Sequence, residues 1–199
     1  MKLPFILASG SAIRSQLLTQ AGMAHEVEKA RIDEDSVTRA LLADGVRPRD
    51  IADALAQAKA RKIAGKFPEA MVLGCDQVLE FDGTLLSKPD SPEDAIAQLG
   101  KMQGAQHSLY SAAVLYHGAE PIWRHVGRVK MTMRPLSEGF IAAYVDRNWD
   151  SIKDAVGCYK LEEEGVRLMR RVEGDYFHVL GMPLLELLDF LTLRGDLDQ

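Results

Sequence analysis

Strand-like and helix-like segments alternate along nearly the whole of this chain, and that alternation constrains its fold more than any other feature. Leu3 to Ala8 is a short apolar run. Behind it, Gly10-Ser11 opens a helical pattern through Leu17, Leu18 and Ala21, with Ser11 as N-cap and Gly22 as stop. From Pro48 to Gly65 the apolar positions Ile51, Leu55, Ala58 and Ile63 follow helical spacing. Met71 to Leu79 is apolar around Gly74 and Asp76, and Asp82-Gly83 then predicts a hairpin turn. Ser91-Pro92-Glu93-Asp94 starts a helix with an N-cap, a proline in the first turn and acids near the positive end of the dipole. Its pattern runs through Ile96, Leu99 and Met102 and stops near Gly104.

The middle is richer in strands. Ser111 to Tyr116 is apolar and leads into His117-Gly118. Arg128, Lys130, Thr132 and Arg134 then alternate with Val129, Met131 and Met133, the period of a half-buried strand. A helix is expected from near Ser137 with Phe140, Ile141, Tyr144 and Val145 inward, then a strand over Val166 to Val172. A leucine-rich helix from Pro183 to Leu193 closes the chain. These elements predict a mixed α/β fold with antiparallel hairpins in the middle. Length allows one large domain or two small lobes, and a single domain over residues 1–199 is the expectation.

Charge and cysteine usage narrow the function. With a net charge of −5 the chain lacks the basic excess of a duplex or membrane-surface binder, so neither nucleic acid nor membrane is expected as partner. A small anion remains compatible, because it needs only a few cations in one cleft. Cys75 and Cys158 stand far apart, too few for a structural zinc site, and read as reduced thiols. The N-terminal MKLPFILASGS is too short in its apolar part for a secretory signal and reads as a first strand. No stretch approaches the roughly 20 apolar residues that span a bilayer. A cytoplasmic location is the expectation.

Several places hold residues that can carry chemistry. The opening Ser9-Gly10-Ser11-Ala12-Ile13-Arg14 is a small-residue turn entering a helix. Such a turn is either an ordinary capped turn or an anion site built on free N–H groups, with Ser9, Ser11 and Arg14 adding donors. Asp76 is a carboxylate inside an apolar run; unless it faces water at a strand end, it must be paired, metal-bound or shifted in pKa, because burying it alone is costly. Asp33-Glu34-Asp35, Lys59 and Ser87-Lys88-Pro89 lie near predicted element ends, where charges are usually just solvated. The five histidines show no metal-binding spacing, and there is no P-loop, nucleophile elbow or nucleophilic cysteine context.

Taken in order, these segments resemble the Maf family from end to end. Its Ser-x-Ser-Pro-Arg-Arg turn corresponds to Ser9 through Arg14, its Ile-Asp-Glu to Ile32-Asp33-Glu34, and its helical lysine to Lys59. Its central Gly-x-Asp-[Thr/Gln]-Val matches Gly74-Cys75-Asp76-Gln77-Val78, and its Gly-Lys-Pro matches Ser87-Lys88-Pro89. Its Gly-x-Tyr-x-[Ile/Leu]-[Gln/Glu] matches Gly157 through Glu162, and its Glu-Gly-Asp-Tyr-x-x-Val-x-Gly-Leu-Pro is nearly intact from Glu173 to Pro183.

The resemblance implies an elongated, two-lobed α/β domain with a mixed sheet and a central cleft, similar to the inosine-triphosphate pyrophosphatases, and a homodimer. It implies hydrolysis of a nucleoside triphosphate to the monophosphate and pyrophosphate, with Mg2+ or Mn2+ as cofactor. Asp76 takes the central role as base or metal ligand, with Glu34 on the metal. Ser9, Arg14, Lys59, Gln77, Lys88 and Glu162 bind substrate. By this logic the carboxylates belong on the metal side and the lysines and Arg14 on the leaving-group side. The chain departs from the family pattern at Ala12 and Ile13, which replace proline and the first arginine, and at Ser87, Glu162 and Ser111-Ala112. Gln77 and the missing arginine resemble the branch acting on 7-methyl-GTP. The alternatives are dTTP/UTP hydrolysis, or a nucleotide-binding regulator of cell division that has lost catalysis.

Overall fold

The computed structural model describes residues 2–197. The strands are β1 (Phe5–Leu7), β2 (Glu26–Val27), β3 (Met71–Phe81), β4 (Thr84–Leu86), β5 (Gln106–His117), β6 (Glu120–Met133) and β7 (Met169–Glu173). The helices are α1 (Ala12–Gln20), α2 (Glu34–Ala43), α3 (Pro48–Ala64), α4 (Pro92–Met102), α5 (Glu138–Ile152), α6 (Tyr176–Val179) and α7 (Leu184–Leu193). The strands make one mixed sheet in the order β2-β1-β3-β5-β6-β7, with β4 paired to β3. β1 lies parallel to β2 and β3, whereas β4 on β3 and β7 on β6 are antiparallel. The mixed α/β fold expected from the sequence is the fold observed. Among the described residues no helix is long and apolar enough to cross a membrane.

The chain divides into two compact units, Met1–Gln77, Ser111–Gly127 and Gly181–Gln199 in the first, Val78–Tyr110 and Arg128–Leu180 in the second. The first buries Leu7, Leu18, Ile51, Ile63, Met71, Leu73 and Leu115. Its longest helix, α3, has Pro48 in its first turn, Asp50 near its positive end and Arg61 and Lys62 near its negative end. Ala52, Ala56 and Ala60 recur every fourth residue on the buried side, leaving a smooth face that can come close to a strand.

The second unit packs Leu79, Leu99, Met102, Val129, Met131, Tyr144 and Leu168 into one core. Ser91 caps α4 as its sequence predicts, its Oγ accepting from the Asp94 N–H, and Ser137, near which a helix was expected to start, caps α5 by accepting from the Phe140 N–H. Asp82 and Gly83 both adopt positive φ, 49° and 74°, which suits the twist of the β3–β4 hairpin. His107 is buried on β5 and its Nε2 lies 2.7 Å from the Tyr159 hydroxyl. Its Nδ1 has no hydrogen-bond partner among the described residues, and burial pushes its pKa down to about 4.

Three local expectations differ from the structure. Ser11 occupies the N-cap position of α1 without a side-chain capping bond; its own N–H instead donates to Ser9 Oγ at 3.3 Å. The strand expected over Val166 to Val172 starts only at Met169, after a 3-10 turn over Glu164–Leu168. Arg147 and Asn148 of α5 hold Glu164, and Gly165 turns tightly over the Lys160 backbone, so the chain is bent there before it can extend. Helix α2 was not expected at all. Asp33 is its N-cap, accepting from the Ser36 N–H at 3.0 Å, and Glu34 and Asp35 fill its first turn.

Candidate active site

The first unit gathers Ser9, Arg14, Glu34, Lys59, Asp76 and Gln77 around the middle of β3. Gly74 and Asp76 share one face of that strand because side chains alternate at every residue. At Gly74 the helix α3 comes so close that an added Cβ would lie 2.2 Å from the Ala56 carbonyl oxygen and 2.6 Å from the Ala60 nitrogen. That approach carries Lys59, the residue before Ala60, to Asp76: its ammonium donates to Asp76 Oδ1 at 2.5 Å. Both side chains are buried.

Glu34, the first residue of α2, reaches the same ammonium at 3.0 Å while remaining partly exposed. The Lys62 ammonium, one turn further along α3, donates to the Arg31 carbonyl and ties down the segment leading into α2. One cation therefore sits between two carboxylates. The sequence logic separated the lysines from the acids; the structure brings Lys59 onto them.

Arg14 meets the backbone of β3. Its Nη1 donates to the Cys75 carbonyl at 3.0 Å and to Ser9 Oγ at 3.1 Å, and its Nε donates to the Gly181 carbonyl at 2.8 Å. Gly181 has φ +89°, and a Cβ there would meet the guanidinium at 2.9 Å, so glycine is required on both counts. These bonds fix the guanidinium beside the opening turn and leave Nη2 outside them. Gln77 donates from Nε2 to Ser111 Oγ at 2.9 Å. Lys88, exposed beyond β4, and Glu162, exposed in the turn before Glu164, belong to the second unit.

Burial dominates the electrostatics of Asp76 and raises its pKa above the usual carboxylate value. The charges of Lys59 and Arg14 and the Lys59 hydrogen bond oppose this, and Glu34 adds to it. Burial pushes the Cys75 thiol up to about 11, which keeps it protonated at neutral pH and rules it out as a thiolate nucleophile. The donor set suits a hard divalent cation: two carboxylates converge on one position, and the position already holds a positive charge.

Sequence reasoning missed three supporting residues, Gly74, Ser111 and Gly181. Each lay inside or beside a segment already singled out, but what it contributes is a backbone contact or a partner for another side chain. Neither is visible in residue type.

The family model for Maf-like proteins matches residues 4–193. A "Nucleoside triphosphate pyrophosphatase" of Ruegeria pomeroyi is 63% identical over 198 residues, covering 100% of both chains. A protein of the same name from Caulobacter vibrioides is 45% identical, covering 98% of this chain and 97% of its own. A "7-methyl-GTP pyrophosphatase" of Rhizobium meliloti is 43% identical, again covering 100% of both. With its motifs in order along the sequence and a family match spanning nearly its full length, this chain belongs to the Maf family.

Proposed function

We propose that this protein hydrolyses a nucleoside triphosphate to the monophosphate and pyrophosphate. The observation that carries the reading is the buried Asp76, held by Lys59 and flanked by Glu34 and the Arg14–Ser9 pair, in a chain 63% identical to a relative named for that activity. In the reaction a water oxygen bonds to the α-phosphorus, the bond from that phosphorus to the bridging oxygen breaks, and pyrophosphate departs. Asp76 accepts the proton of the attacking water as general base. Ser9 and the N–H groups opening α1 face the charge of the phosphates, and Arg14 keeps that turn fixed against β3. Glu34 and Asp76 would hold a divalent cation, Mg2+ or Mn2+, which would neutralise phosphate charge when bound.

The finer substrate reading is 7-methyl-GTP. It is supported by Gln77 directly after Asp76 and by Rhizobium relatives of that name at 43% and 42% identity. Relatives of higher identity carry the broader name, which fits a wider range of nucleotides. The test is pyrophosphate release by the purified protein with Mg2+ or Mn2+, across the common triphosphates, dTTP, UTP and 7-methyl-GTP. Asp76→Asn is expected to fold and to lose at least about a hundredfold in turnover, the lower range for removing a general base. Retained turnover in that variant would remove Asp76 from its role. Nucleotide binding without release of pyrophosphate from any substrate would favour the regulator instead.

A further inference from the structure

Lys59 has a place in this site that a phosphate-binding lysine does not need. Its ammonium contacts Asp76 at 2.5 Å and Glu34 at 3.0 Å, so two of its three N–H donors are committed to carboxylates. Those are the same two carboxylates that the proposed function gives to a divalent cation. Their oxygens converge on one point, and that point is occupied by a side chain of the protein itself.

Charge counting shows why both cations cannot stay. Glu34, Asp76 and Lys59 together carry about one negative charge when all are ionised. A divalent ion placed on the carboxylates beside the ammonium would put like charges at contact distance in a buried setting, where little water screens them. With the ammonium moved away, the ion and the two carboxylates balance. The displaced positive charge then becomes available to the anion that arrives with the ion. The lysine stem makes this movement feasible, since it has four rotatable bonds and ends in a compact charge with no fixed direction.

We propose that Lys59 is the resident counter-cation of the free site, occupying the metal position between Glu34 and Asp76, and that it leaves the carboxylates for the substrate's phosphates when that position is filled. The inference rests on the metal reading of the proposed function. It assigns Lys59 two alternating partners, and it makes the free protein a poor metal binder by construction. Asp76 is thereby kept paired between turnovers, when a lone buried carboxylate would otherwise be costly.

The test is Mn2+ binding to the nucleotide-free protein, read by electron paramagnetic resonance titration at pH 8. Lys59→Gln removes the competing charge and is expected to bind Mn2+ at least about tenfold more tightly than the wild type, even though its turnover falls. Lys59→Arg keeps a competing charge and is expected to show no such gain. Circular dichroism of both variants establishes that they are folded. An affinity in Lys59→Gln equal to or weaker than wild type, including no detectable binding, overturns the proposal; so does an equal gain in Lys59→Arg. Failure of the metal reading itself shows separately, as wild-type pyrophosphate release that persists after chelation and dialysis.

Discussion

Replacing Gly74 by alanine tests the way this site is built more severely than replacing any charged residue. The new Cβ would lie 2.2 Å from the Ala56 carbonyl oxygen, where ordinary contact begins at 3.4 Å. Relieving it requires roughly 1 Å of separation between α3 and β3. The obstacles are largely backbone, the Ala56 oxygen and the Ala60 nitrogen, so side-chain rotation cannot absorb the overlap. Overpacking of this kind costs about 1–3 kcal/mol, and a backbone clash belongs at or above the upper end. Against a total stability of about 5–15 kcal/mol this is measurable without abolishing the fold. The same 1 Å would displace the backbone of Lys59, and with it the reach of its ammonium both to Asp76, now at 2.5 Å, and to the phosphates it is proposed to meet. Misplacement on that scale costs about a hundredfold in rate. Urea denaturation and steady-state pyrophosphate release on one preparation measure both effects. Adding Ala60→Gly removes only the 2.9 Å side-chain contact and should not rescue either. Wild-type stability with wild-type turnover in Gly74→Ala would refute the claim that this close approach sets the position of Lys59.

Two further outcomes follow from the geometry. Arg14→Lys keeps the charge but cannot reach Ser9, Cys75 and Gly181 together, so stability should fall by about 2–3 kcal/mol and turnover should drop with it; a fully stable, fully active variant would show that the three bonds brace nothing. His107 is neutral in the folded protein down to about pH 4, whereas the unfolded chain protonates it from about 6.5. The folded state therefore loses stability as pH falls from 6.5 to about 4, by about 3 kcal/mol. A melting-temperature series over that window should be flatter in His107→Asn, and an unchanged slope would exclude His107 as the source.

Much of this architecture was legible because it rests on local chemistry. The cap at Ser91, the helix start near Ser137, the Asp82-Gly83 turn and the apolar spacing of α3 are each decided by a few adjacent residues. Helix α2 escaped although Val37, Ala40 and Leu41 follow helical spacing, because its Asp33-Glu34-Asp35 looked like a solvated charge run and no residue of it is fully buried. In the structure those acids cap the helix and reach Lys59. Asp76 stood out as a carboxylate in an apolar strand, but its partners did not, since Lys59 and Glu34 meet it only through tertiary packing. The order of motifs singled out Asp76, Glu34, Lys59 and Arg14, and the geometry then altered what Lys59 and Arg14 were expected to touch.

The bond from Arg14 to the Gly181 carbonyl spans 167 positions of sequence. During synthesis Arg14 is made 167 positions before Gly181, so this one bond of the guanidinium waits while the chain between them is added. Ser9 and Cys75 alone can hold it only in part. The opening turn is thus fully braced only when Gly181 arrives, and a chain cut before it would hold Ser9, Glu34, Lys59 and Asp76 without that bond. The bracing of the opening turn becomes a late event in the life of the polypeptide, withheld until Gly181 has been made.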